Sequence, residues 1–264
     1  MDALHAQPGL VRVGTGPRIL LIHGSAADHT TWSIQVTSKL GEELRSRFTL
    51  IAYDRRTDIT SVEDHADDAL ALLADDPSPA LICGSSFGAV VALDALRRHP
   101  ERLAGAVLLE PPMAPSDVVA PQQRELLVAF DHRRAEQGDE AAAELFLRTV
   151  LGDAAYARMP RAYQDRSKAK AVQIRADSAA LVAYRPRYAE LRSVTRPVQL
   201  VGGERSAAYF RPTLDALFAA LPDARLEILP GAGHMMHAEA HKRFAEVLVA
   251  FARDAAVVSG LASR

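Results

Sequence analysis

The chain has 264 residues, 48% hydrophobic and 24% charged, with a net charge of −2. That length can bury one large core, alone or with an insertion. Lys and Arg are scattered rather than striped, which argues against a nucleic-acid partner, and no apolar run is long enough to span a bilayer. Met1-Asp2-Ala3-Leu4-His5 lacks the basic and apolar regions of a secretory signal, so a cytoplasmic protein is expected. The single cysteine, Cys83, excludes an internal disulfide and reads as apolar filler in a buried strand.

Apolar runs alternate with helical patterns. Val11–Val13 is a short edge strand, turned by Gly14-Thr15-Gly16-Pro17, and Arg18–Ile22 is a buried strand ending at His23-Gly24. Phe48–Tyr53 is a further strand, closing on Asp54-Arg55-Arg56. A helix follows from about Ser61 to Ala74, opened by the capping pattern Ser61-Val62-Glu63-Asp64. Strand Ala80–Cys83, a helix from Ala89 to His99 and strand Ala104–Leu109 come next. Such nearly continuous apolar strands indicate a mostly parallel sheet covered by helices on both faces, an α/β fold.

Residues 112–196 are helical and charge-rich, with helices expected over Pro121–Gln137, Asp139–Leu151, Asp153–Ala157 and Lys168–Leu191. Alternation resumes with strand Pro197–Val201, helix Tyr209–Leu221, strand Ala224–Leu229 and helix Ala238–Ala255; the tail after Val258 is expected to fray. The spacing therefore predicts a core of residues 1–111 and 197–264, with a helical lid inserted at 112–196. An insert leaving the carboxyl edge of a parallel sheet roofs the crevice there.

Gly84-Ser85-Ser86-Phe87-Gly88 lies between strand and helix. A sharp turn at this point strains the middle residue and leaves no room for flanking side chains, which Gly84 and Gly88 supply. Ser86 would then present its hydroxyl at the sheet edge, beside helix N–H groups that favour negative charge. A serine needs a base. Of nine histidines, His234 in Leu229-Pro230-Gly231-Ala232-Gly233-His234 is best placed, in a Gly-rich loop directly after a strand. His237 is its nearest competitor and suits the start of the final helix. His23 reads as a support for loop backbone, and His29, His65, His99, His132 and His241 as surface residues. The N–H of Phe87 and that of Ser25, with Gly24 as the alternative, are candidate oxyanion donors.

Together His23-Gly24 with Trp32, Tyr53-Asp54-Arg55-Arg56, Gly84–Gly88, His99-Pro100-Glu101-Arg102 and Gly231–His234 resemble the α/β-hydrolase superfamily. The resemblance implies that fold, with nucleophile, acid and histidine in that chain order. The turn where most members carry the acid reads Gly203-Glu204-Arg205-Ser206, with Ser206 at the expected Asp position. Glu110, ending the strand Val107-Leu108-Leu109 before Pro111-Pro112, is the preferred acid, and Glu204 is the alternative. Some branches, including lactone hydrolases acting on resorcylic macrolactones, carry the acid after that strand. The segment Arg55-Arg56-Thr57-Asp58-Ile59-Thr60 lacks the usual Gly-x-Gly-x-Ser loop, and its arginines suit structural ion pairs.

The expectation is a serine hydrolase for a small ester or lactone, using Ser86, His234 and Glu110, with neither metal nor organic cofactor. Trp32, Phe87, Met113, Phe130, Phe146 and Tyr184 are candidate pocket walls. Alternatives on the same residues are carbon–carbon bond hydrolysis, thioester hydrolysis and cofactor-free perhydrolysis; one of another class is a non-catalytic ligand-binding relative. Monomer and homodimer both fit.

Overall fold

A computed structural model describes residues 9–118, 121–185 and 187–258. The readings made of Met1–His5 and of the tail after Val258 lie outside them. Seven strands form one sheet: β1 (Leu10–Gly14), β2 (Arg18–Ile22), β3 (Thr49–Tyr53), β4 (Ala80–Ser85), β5 (Leu103–Leu109), β6 (Val198–Gly203) and β7 (Ala224–Leu229). Their order is β1-β3-β2-β4-β5-β6-β7. Only β1 runs antiparallel, paired along β3.

The period-two alternation of strand side chains divides the core. Leu20, Ile22, Ile51 and Ile82 face one layer, which contains α3 (Val62–Ala71) and α4 (Phe87–Arg98). Ile19, Leu21, Leu50, Leu81 and Cys83 face the other, with Trp32, Val36, Leu44 and the final helix α13 (His241–Val258). The capping pattern forms as read: Ser61 Oγ accepts from Asp64 N–H at 3.0 Å and starts α3.

Between β2 and β3 lie helical turns His29–Trp32 and Lys39–Gly41 with the short helices α1 (Ser33–Val36) and α2 (Glu42–Arg45), none of them expected from sequence. Elements of three or four residues carry no readable period. Between β5 and β6 the chain is helical: α5 (Pro121–Gln137), α6 (Asp139–Leu151), α7 (Asp153–Arg158), α8 (Arg161–Lys168), α9 (Ala171–Ala183) and α10 (Tyr188–Leu191). The helix expected over Lys168–Leu191 is thus divided. It stops at Ala183, with Tyr184 extended, two positions before Pro186, whose ring disfavours helical backbone at the residue before it. Helix α8 was not anticipated. The final helix is also divided, into α12 (Met236–Glu239) and α13, while α11 (Phe210–Ala220) lies between β6 and β7. A third apolar cluster, including Phe130, Phe146, Leu147 and Ile174, packs the inserted helices on one another and against Phe210. No described helix is long and apolar enough to cross a membrane.

Candidate active site

The carboxyl ends of β2, β4, β5, β6 and β7 gather the candidate residues. Ser86 follows β4 directly and has φ 55° and ψ −124°, a conformation that strains a non-glycine residue. Both flanking glycines are required by space: a Cβ on Gly84 would overlap the Gly88 carbonyl, and one on Gly88 would overlap Ile22. The loop after β2 is equally close, since a Cβ on Gly24 would lie 2.9 Å from Ser86 Cβ. The Ser86 amide donates to Leu109 O at 2.8 Å. That of Phe87, opening α4, has no acceptor within its own helix.

Glu110 continues β5 at φ 44° and donates its N–H to Val201 O at 3.1 Å. Its carboxylate is 99% enclosed yet fully engaged. Oε1 accepts from Gly203 N–H at 2.7 Å, and Oε2 lies 2.6 Å from His234 Nδ1. A carboxylate only accepts, so Nδ1 carries a proton; in the neutral imidazole Nε2 is the nitrogen with the lone pair. The imidazole is buried and stacks on Phe210, ring centres 4.4 Å apart and planes 10° from parallel. Sequence reasoning missed this platform, because an aromatic residue at the start of an amphipathic helix looks like ordinary core.

Glu204 has another partner: its Oε2 accepts from Gly231 N–H at 2.7 Å, on the outer side of the turn. Ser206 Oγ is buried with no hydrogen-bond partner among the described residues. It is Glu110, then, that meets the imidazole. His237 lies in α12, wholly buried against Trp32, and does not start the long final helix.

The loop after β2 is braced by buried polar contacts. Burial, reinforced by the Arg55 guanidinium, holds the His23 pKa well below the usual range, so its ring is neutral. Nδ1 then donates to Gly24 O at 2.8 Å and Nε2 accepts from Arg55 N–H at 3.1 Å. Arg55 makes a two-pronged bond to Asp177 of α9 at 3.0 and 2.7 Å, and lies 4.5 Å above the Phe87 ring. Asp177 Oδ2 also accepts from Ser25 Oγ at 2.8 Å. A helical-insert residue thereby touches the loop that carries a candidate donor. His65, expected at the surface, is buried edge-on to Phe87, and burial and Arg55 lower its pKa to about 4.

Of the expected pocket walls, Met113 and Phe146 line cavities that reach Ser86. Trp32, Phe87, Phe130 and Tyr184 do not. Trp32 packs on His237 and Phe244, Phe87 and Phe130 are wholly buried, and Tyr184 donates its hydroxyl to Asp94 at 3.1 Å. Large aromatic rings gain most from full burial, which outweighs a place on a wetted wall. Asp28, His29 and Asp54 bring potential ligand atoms within 4.8 Å of one another. Their polar atoms already have partners: Asp28 faces Lys170 at 3.2 Å and caps Thr30, and His29 Nδ1 meets Asp54 at 2.8 Å.

The profile of the Alpha/beta hydrolase family matches residues 19–247, and the chain belongs to that family. It is 29% identical to a pimeloyl-[acyl-carrier protein] methyl ester esterase of Aromatoleum aromaticum, over 83% of this chain and 91% of that protein. To the uncharacterized hydrolase YraK of Bacillus subtilis it is 38% identical, over only 37% of this chain and 38% of YraK. Its fold superposes on a thermophilic esterase of Thermogutta terrifontis with a TM-score of 0.76, at 23% identity and 93% coverage of both chains.

Proposed function

We propose that this member of the family is a serine hydrolase that cleaves a carboxylic ester or lactone through Ser86, His234 and Glu110. The observation that carries the reading is the 2.6 Å contact between His234 Nδ1 and the Glu110 carboxylate, at the sheet edge that also bears the strained Ser86. Likeness to two esterases supports an ester as the substrate class.

Ser86 Oγ adds to the substrate carbonyl carbon while its proton passes to His234 Nε2. The carbonyl electron pair moves onto oxygen, and the N–H groups of Phe87 and Ser25, or Gly24, receive that oxyanion. Glu110 stays ionised, fixes the tautomer and stabilises the imidazolium. The bond to the leaving oxygen then breaks, and Nε2 gives that oxygen its proton, which leaves an acyl group on Ser86. Water adds to the acyl carbon and passes its proton to Nε2. Collapse frees the acid and returns the proton to Ser86. The described helices inserted between β5 and β6 act as the lid that excludes bulk water meanwhile.

Ser86→Ala is expected to lower kcat/KM for 4-nitrophenyl acetate by about 10⁶-fold, and an aryl phosphonate to label Ser86 in the parent, read by peptide mass. Full turnover by the variant, with Ser86 unlabelled in the parent, sinks the reading.

A further inference from the structure

Two chambers meet at Ser86. The first, of about 550 Å³, includes His234 together with Arg158, Arg166 and Arg205 in its lining. The second, of about 560 Å³, is walled by Met113, Leu126, Leu181 and Tyr209. Ser25, Ser86, Phe146 and Val150 border both. Phe146 and Val150 of α6 are therefore the partition, and the nucleophile and a candidate oxyanion donor stand where the chambers join.

The chambers differ in charge. Asp28 and Glu239 are the carboxylates of the first, and both are already engaged: Asp28 by Lys170 at 3.2 Å, Glu239 by Gly233 N–H at 2.8 Å and by Arg205 at 3.3 Å. Arg158 has no ion-pair partner among the described residues, and the nearest carboxylate to Arg166 is Asp28 at 3.9 Å. The second chamber has no cationic lining residue, and its one charged residue, Glu125, is exposed.

His234 borders the first chamber alone, and the leaving oxygen must meet the proton His234 carries. The leaving group therefore departs into the first chamber, and the chain on the acyl carbon extends into the second. We infer that the substrate joins an apolar acyl chain, held against Met113, Leu126 and Leu181, to an alcohol bearing an anionic group, held by Arg158 and Arg166. This rests on the serine-hydrolase reading above and adds the substrate's two halves to it. Each methylene buried in the second chamber strengthens binding about fourfold, while the guanidinium groups draw the anionic end to the first.

The test compares 4-nitrophenyl octanoate with the acetate, and butyrate esters of 4-hydroxybenzenesulfonate with those of uncharged 4-cyanophenol. The parent should prefer octanoate and the sulfonate. Leu181→Trp should lower the octanoate-to-acetate ratio of kcat/KM about tenfold and leave the sulfonate-to-cyano ratio where it was. Arg158→Glu with Arg166→Glu should do the reverse, by about tenfold on the second ratio. Leu181→Phe gives a graded obstruction should the tryptophan variant fail to fold. Ratios that do not move, or that move with the opposite variants, overturn the assignment. Phosphonate labelling of Ser86 separates the two failures: a labelled enzyme with unmoved ratios loses only the chambers, whereas an unlabelled, inactive parent loses the hydrolase reading and the chambers together.

Discussion

Ser86 at φ 55° and Glu110 at φ 44° hold backbone conformations that cost a non-glycine residue about 1–3 kcal/mol each. Both are fixed by ladder bonds that run past the strand ends, Ser86 to Leu109 and Glu110 to Val201. Strain kept at these two residues sets hydroxyl and carboxylate on one edge. On the proposed mechanism, Glu110→Gln keeps the shape but loses the charge that fixes the His234 tautomer, so kcat should fall about 10³- to 10⁴-fold. Glu204→Gln removes only the charge behind a bond accepted from the Gly231 amide and should change kcat less than about threefold. Steady-state rates on one aryl ester decide it, and a large loss confined to the Glu204 variant would move the acid to the other turn. The strained turn at Ser86 was legible because two glycines mark where no Cβ fits, and the placing of Glu110 at the sheet edge because it directly ends an apolar strand. The Phe210 stack was not, since ring planes leave no trace in residue order.

The inserted helices do more than cover the sheet edge. Asp177 lies mid-way along α9, 122 positions from Arg55, yet the two form an ion pair that is almost wholly buried, 2% and 0% exposed at the side chains. Nothing in an isolated helical pattern signals such a partner, because the pairing depends on how the fold sets α9 against the segment that follows β3. The same distance hides which side of α9 or α5 faces a cavity, so Phe130 and Tyr184 could not be sorted from Phe146 by spacing alone. Truncation of one partner leaves the other charge buried, and Asp177→Ala should cost about 3–5 kcal/mol in urea unfolding. Replacing both, Arg55→Met with Asp177→Leu, should return stability to within about 2 kcal/mol of the parent. Activity should not return with it, because Ser25 Oγ has lost its acceptor and the Gly24–Ser25 loop its anchor. A double variant that regains both stability and kcat would make the pair a fastening of the lid and nothing more.

At the scale of the whole molecule, burying imidazoles links folding to pH. His237 is enclosed beneath the loop that carries His234, with Gln35 bonded to its carbonyl at 2.8 Å, and neither ring nitrogen has a partner among the described residues. Burial, with repulsion from His234 whenever that ring is protonated, lowers its pKa from 6.5 to about 3. Above about pH 7 neither folded nor unfolded chain protonates this ring, and it does not affect stability. Below 6.5 the unfolded chain takes up a proton that the folded one refuses, so unfolding becomes easier as the pH falls toward 3. Between pH 7.5 and pH 5 this single group should remove about 2 kcal/mol, and His23, lowered by burial and Arg55, adds in the same direction. Carboxylates such as Asp28 act elsewhere: burial opposes its charge, but Thr30 and Lys170 prevail and hold it at about 2, so its effect falls below pH 4. Urea unfolding at the two pH values measures the difference directly. His237→Phe keeps the ring against Trp32 without a titrating nitrogen, and should shrink that difference by about 2 kcal/mol. An unchanged difference would mean that the acid sensitivity of the fold resides in other groups.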